Sequence, residues 1–259
     1  MRQTRTSRSL IVCAGLLLSL IATGALGAEN ADDIVAKHIV ARGGADKLHA
    51  IQTIHITGTL DLGQLKATLV SDQKRPDQMR MDMVTPQFTA VRAYDGKTGW
   101  TIMPQEGQPE AKPMSADDLK DAMEEADFGG PLLDYKQKGH QVELLGHEAI
   151  DGHDCFKLKL TRGGSGETRT MWLDAGTFLE RRVEGSRKSE KGEESFTQTL
   201  DDYRKVDDVM FPFKSVVDVK TPQGNGKYTY TVEKIELNKP MDNAHFEMPA
   251  AMPATQPGK

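Results

Sequence analysis

Cysteine is nearly missing. The 259 residues contain 2, Cys13 and Cys155, and only Cys155 lies beyond the amino-terminal segment described below, so the exported chain has no internal disulfide. Positive charge is not in excess either: 33 Lys+Arg stand against 38 Asp+Glu, a formal charge of -5, which leaves no electrostatic footprint for nucleic acid. Aromatic residues supply 6% of the chain, hydrophobic residues 37% and charged residues 27%. That balance excludes a polytopic membrane protein and a largely disordered one, and it predicts an aliphatic core. Methionine, by contrast, is generous at 12. Flexible thioethers suit irregular or adaptable apolar surfaces.

Catalytic and metal-binding patterns are also missing. The 7 histidines are scattered. His140, His147 and His153 come nearest to a cluster, but neither HxH nor HExxH spacing occurs. Gly163-Gly164-Ser165-Gly166 lacks the helix that a nucleophile elbow requires. Gly224-Asn225-Gly226 joins two strands and has no third glycine, so it is no dinucleotide loop. Asp201-Asp202 and Asp207-Asp208 flank a turn, where solvation accounts for them. Cys155 reads as a small core residue rather than a nucleophile. The sequence implies no enzyme, cofactor or metal. A secreted hydrolase would need His140, His147 and His153 to converge on a carboxylate in the folded chain.

The first residues carry an export signature. Arg2, Arg5 and Arg8 precede an apolar run from Leu10 to Ala22, and small residues bracket a cut within Ala25-Leu26-Gly27-Ala28. This is the layout of a secretory signal peptide spanning 1–27. Its removal takes three positive charges away, leaving −8. Val12 before Cys13 does not fit lipid attachment, so the exported protein is expected to be soluble.

Residues 28–250 read as one domain and 251–259 as a short disordered tail. Asp32 to Ala41 has helical spacing and stops at Gly43-Gly44, and a short turn of helix follows over Asp46 to Ala50. From Gln52 the period becomes two: Ile54, Ile56, Leu60 and Leu62 alternate with polar residues, and Leu65, Ala67 and Leu69 continue the pattern. Met79, Met81 and Met83 share one strand face. Asp95-Gly96 is the strongest hairpin signal. Pro104 to Pro113 reads as a loop, and Ser115 with Asp118 forms a capping box for an amphipathic helix over Asp117 to Ala126. Strands then run to Leu237. The expectation is a mainly β (α+β) fold: a single curved antiparallel sheet of roughly ten strands forming an unclosed barrel, with helices covering the concave side.

Such a sheet leaves a hollow that short helices do not fill. Burying hydrocarbon there yields about 0.8 kcal/mol per methylene, so an acyl chain needs only dispersed apolar contacts. Met79, Met81, Met83, Leu69, Trp100 and Ile102 are the expected wall residues.

Several motifs taken together carry a resemblance. Lys74-Arg75-Pro76-Asp77, the alternating strand Met79 to Met83, Pro86, Asp95-Gly96-Lys97-Thr98-Gly99-Trp100 and Pro104 resemble the outer-membrane lipoprotein-sorting carriers, the LolA/LolB-like proteins of the bacterial periplasm. The similarity is clearest from Gln52 to Pro104, and Phe246-Glu247-Met248-Pro249 resembles the end of that family's last strand. The resemblance implies a half-barrel whose hydrophobic cavity takes acyl chains, and membrane-bound donor and acceptor proteins. It also implies that Arg75 holds a helical lid by hydrogen bonds. Leu119, Met123 and Phe128 are the lid residues expected beside it. Methionines stand where the family offers aromatics, which points to another lipid or lipid-modified cargo. The reading is thus a soluble, monomeric, non-enzymatic periplasmic carrier of lipoprotein acyl chains or other lipids. The alternative is an envelope interaction module whose sheet is fully packed and pairs through an edge strand.

Overall fold

The structure, a computed structural model, describes residues 29–189 and 192–250. The expected signal peptide and the tail from residue 251 lie outside the described residues. Asn30 opens helix α1 (Ala31–Ala41) by accepting from the Asp33 N–H, and Gly43 and Gly44 end it at φ 125° and 94°. At Gly43 a side chain is also sterically barred, because a Cβ would lie 2.6 Å from the Asp208 carbonyl oxygen. Helix α2 (Ala45–Ala50) follows at once.

Thirteen strands then form one antiparallel sheet. The first six are β1 (Thr53–Asp61), β2 (Lys66–Lys74), β3 (Gln78–Val84), β4 (Thr89–Tyr94), β5 (Gly99–Met103) and β6 (Gln108–Pro113). Helix α3 (Ala116–Glu125) comes next, with the Ser115 hydroxyl accepting from the Asp118 N–H as a capping residue should. The remaining seven strands are β7 (Gln141–Ile150), β8 (His153–Thr161), β9 (Thr168–Asp174), β10 (Glu180–Ser189), β11 (Gly192–Val206), β12 (Val209–Thr221) and β13 (Gly224–Leu237). The sheet is larger than the ten strands expected. Part of the excess is β6, which the prolines had marked as loop. It sits at a sheet edge, where proline removes no needed ladder bond.

The strand order is β6-β5-β4-β3-β2-β1-β13-β12-β11-β10-β9-β8-β7. First and last strands therefore pair in the middle, while β6 and β7 are the open edges. The connection between those edges, residues 114–140, has to cross one face of the sheet, and it carries α3. A bulge in β13 opposite Thr57 and Gly58 adds twist, and Gly58 leaves room for Tyr230, whose ring carbon Cε2 would lie 2.8 Å from a Cβ there.

All three helices pack on the same face. Ile34 and Val35 of α1 meet Phe156, Leu158, Met171 and Leu173 on β8 and β9. Leu48 of α2 joins Ile54, Phe211, Val232 and Ile235 on β1, β12 and β13. Ala122 and Ala126 cover Met79 and Tyr94. A smaller core lies on the outer face, where Val91, Ala93 and Trp100 pack together. The carboxy-terminal segment is fastened there: Trp100 Nε1 donates to the Phe246 carbonyl at 2.8 Å. His55 Nδ1 and His245 Nε2 sit 2.6 and 2.8 Å from the two oxygens of Asp72.

Candidate functional site

Between α3 and the central strands the inner face is not filled. A cavity of about 530 Å³ lies there, within the range of small-molecule sites. Its apolar wall comes from alternate residues of many strands, among them Ile56 and Leu60 on β1, Leu69 on β2, Met81 and Met83 on β3, Val217 on β12 and Tyr230 on β13. Helices α1 and α2 pack on the β8–β13 half and α3 on the β3–β5 end, and the hollow lies between those packed clusters.

Three of the expected wall residues, Leu69, Met81 and Met83, line this cavity. Met79 shares their face but is only 1% exposed beneath α3, packed on Tyr94, Ala122 and Ala126. Trp100 and Ile102 do not belong to the wall. Across the β4–β5 hairpin Trp100 faces Ala93 and Ile102 faces Val91, whereas Met81 faces Arg92. Neighbouring residues on a strand point to opposite sides, so Trp100 and Ile102 belong to the outer face. Met103 is the β5 residue in the cavity. The signal that would have found it is the pairing of Tyr94 with Gly99 across the Asp95-Gly96 turn, which puts odd-numbered residues of β5 inward.

The lid residues divide similarly. Leu119 packs against the Met79 and Tyr94 cluster. Met123 is 52% exposed and faces away. Ala122 and Ala126, three and seven residues after Leu119, carry the buried side of α3 instead. Phe128 packs on the α2 core, with the Arg75 guanidinium 4.7 Å over its ring. Arg75 donates from Nε and Nη2 to the carbonyls of Ile51 and Leu48, at 2.8 and 3.1 Å. It therefore binds the end of α2 and the chain after α3 rather than the cavity wall.

The far flank of α3 is tied to the opposite half of the sheet by ion pairs. Lys120 meets Glu167, Asp121 meets Arg187, and Glu124 meets Arg169 and Arg162. Against the cost of burial, the hydrogen bonds that Arg187 donates to Asp121 and Glu194 raise its pKa. On the cavity side Arg92 Nη1 donates to Glu125 Oε1 at 3.2 Å. Burial pushes the Glu125 carboxyl up, with Arg92 opposing and the Asp121 and Glu124 charges adding to the rise. Burial also holds the Tyr230 phenol high, at about 12. The Tyr230 hydroxyl and Glu125 Oε2 find no hydrogen-bond partner among the described residues.

The three clustered histidines do not converge. His140 Nδ1 accepts from the Gly163 N–H, His147 lies beside Asp154, and His153 beside Asp174. Among the described residues no group of three or more His, Cys, Asp and Glu is placed to hold a metal ion. Cys155 is fully buried with Ile150 and Trp172, and burial raises its thiol pKa.

The open antiparallel sheet with helices on one face is a fold shared with solved proteins. A LolA superfamily protein of Nitrosomonas europaea superposes with a TM-score of 0.56 at 14% identity, over 85% of this chain and 98% of that one. A DUF1329 family protein of Desulfovibrio piger does so at 0.54 and 16% identity, over 83% of this chain and 97% of that one. Residues 53–252 match the family described as a domain of unknown function, DUF4412, and the chain belongs to that family. No curated protein matches the sequence.

Proposed function

We propose that this protein is a non-enzymatic carrier that takes the acyl chains of lipoproteins or other lipids into its half-barrel and moves them across the periplasm to the outer membrane. The observation that carries this reading is the unfilled apolar cavity on the inner face, walled by Leu69, Met81 and Met83. A sixteen-carbon chain buried there offers roughly 12 kcal/mol gross, from which association and ordering losses are drawn. The basic and apolar segments of residues 1–27 supply the route out of the cytoplasm, and no helix among the described residues is long and apolar enough to cross a membrane. The hollow is also what favours a carrier over an interaction module with a packed interior. Met81→Asp tests the reading, because a charge placed against hydrocarbon costs several kcal/mol. Loading of a fluorescent fatty acid should fall at least about tenfold. Undiminished loading, or native mass spectrometry of detergent-free protein showing no lipid uptake, would overturn it.

A further inference from the structure

The cavity is not apolar throughout. Among the described residues its lining contains two charged side chains, Arg92 on β4 and Glu125 on α3. They meet through Nη1 and Oε1 at 3.2 Å. Each keeps surface free, 25% of the Arg92 side chain and 38% of Glu125, although the Glu125 carboxyl is surrounded by protein. Both residues line the hollow, so a molecule bound there meets them, although Glu125 Oε2 itself is enclosed. Gln73, also in the lining, donates its side-chain amide to the Glu125 carbonyl and so fixes the end of α3. Tyr228 lies close enough for the charges of both Glu125 and Arg92 to act on its phenol.

An ion pair in such a setting selects by charge. Its two charges cancel, so it attracts no net charge from a ligand. A carboxylate or phosphate entering beside it would share Arg92 with Glu125, placing two anions on one cation in an enclosed site and leaving one of them uncompensated. A neutral polar group meets no such obstacle. A guanidinium has five N–H donors, and the one given to Glu125 leaves others for an ester or amide carbonyl. Glu125 Oε1, which takes that one bond, keeps a second lone pair for a hydroxyl or an amide N–H.

We propose that Arg92 and Glu125 form the seat for the polar end of the ligand, and that the preferred cargo is an acyl chain ending in an uncharged ester, amide or hydroxyl group rather than a free fatty acid. The proposal rests on the carrier reading and adds the chemistry of the head. Glu125 also faces Asp121 and Glu124 from its own helix, but those two are engaged by Arg187 and by Arg169 and Arg162, so the charge within the hollow remains balanced.

The test is displacement of N-phenyl-1-naphthylamine, an uncharged fluorophore, from delipidated full-length protein at about pH 8, well above the ordinary carboxylate range. The competitors are 1-oleoylglycerol and oleate, each below its aggregation concentration. In the unaltered protein the glyceride should displace the fluorophore at a concentration about tenfold lower than oleate, equivalent to ~1.4 kcal/mol. Glu125→Gln, which leaves Arg92 uncompensated, should reverse the order, and Arg92→Gln combined with Glu125→Gln should abolish the preference. Equal displacement, or tighter oleate, in the unaltered protein overturns the proposal while leaving the carrier reading intact. Failure of the fluorophore and both lipids to bind overturns the carrier reading and the head-group assignment with it. The first comparison needs no variant, so misfolding cannot obscure it.

Discussion

The guanidinium of Arg75 covers the ring of Phe128 at 4.7 Å, while two of its nitrogens hold the carbonyls that end α2. One side chain at the end of β2 thus joins the second helix to the segment that crosses the sheet. Hydrogen bonds from a charged donor contribute roughly 1.5–3 kcal/mol each, and a cation over an aromatic ring adds roughly 0.5–2. Arg75→Ala should therefore lower unfolding stability by about 3 kcal/mol, seen as a lower urea midpoint at unchanged slope. Arg75→Lys, with one nitrogen in place of the fork, should recover less than half. A midpoint unmoved by alanine would remove Arg75 from any role in holding these segments.

The methionine strand and the helix cap at Ser115 were legible before folding, because period-two alternation and capping chemistry are local. Arg75 was marked only by the resemblance that the Lys74-Arg75-Pro76-Asp77 turn carries, and its bonds to the end of α2 were not foreseen. Nor was the inward face of β5. Gly99-Trp100-Thr101-Ile102-Met103 offers apolar residues on both sides, and only its pairing with β4 decides which of them meet the cavity. Trp100 and Ile102 look like ligand wall, but both pack in the outer-face core, where Trp100 also holds the carboxy-terminal segment. Glu125 was equally hidden. A glutamate on a helix reads as solvated unless one knows that Ala122, one turn earlier on its side, is buried. Long-range contact placed these residues, and sequence period does not report it.

Phe246 is 0% exposed, and its carbonyl receives the Trp100 indole N–H. Phe246→Ala should cost about 3–5 kcal/mol, as truncation of a buried aromatic does, and should free the end of the chain from the outer face. In a Trp172→Phe background, emission reports Trp100 alone, and a red shift is expected on adding Phe246→Ala. Ligand loading should persist under conditions where the variant stays folded, because this contact lies across the sheet from the cavity. An unshifted spectrum would mean that the segment does not shield Trp100.

The ion pairs along α3 set a salt dependence. Arg187 and Asp121 are about one-third exposed, at 33% and 32%, so solvent ions reach them, and pairs of this kind are worth at most about 1 kcal/mol each. Raising the salt from about 0.1 M to about 1 M shortens the screening length from ~10 Å to ~3 Å. If α3 must lift from β8–β11 for a chain to enter, acyl-probe uptake should quicken several-fold over that range. Arg169→Gln with Arg187→Gln should give the faster rate already at low salt. Uptake indifferent to both salt and substitution would exclude α3 as the gate.

His38 gives α1 a dependence on acidity. Its ring is buried, 1% exposed, and Nδ1 lies 2.8 Å from the Phe178 carbonyl, so Nδ1 carries the proton and donates it. Burial lowers the His38 pKa, Glu180 opposes this, and Arg42 lowers it further. The unfolded chain takes up a proton near pH 6.5, whereas the folded chain resists until a lower pH. Stability from His38 is therefore complete above about 6.5 and declines as the pH falls through the interval down to the folded value. His38→Asn keeps a donor close to the position of Nδ1 and removes the titration. The variant should be less stable near neutrality, yet its melting temperature should fall less steeply between about pH 7 and about pH 5. The carboxylates common to both proteins cancel in that comparison. Parallel curves would mean that His38 is as readily protonated in the fold as outside it, and that the contact of α1 with the Phe178 turn survives acid unchanged.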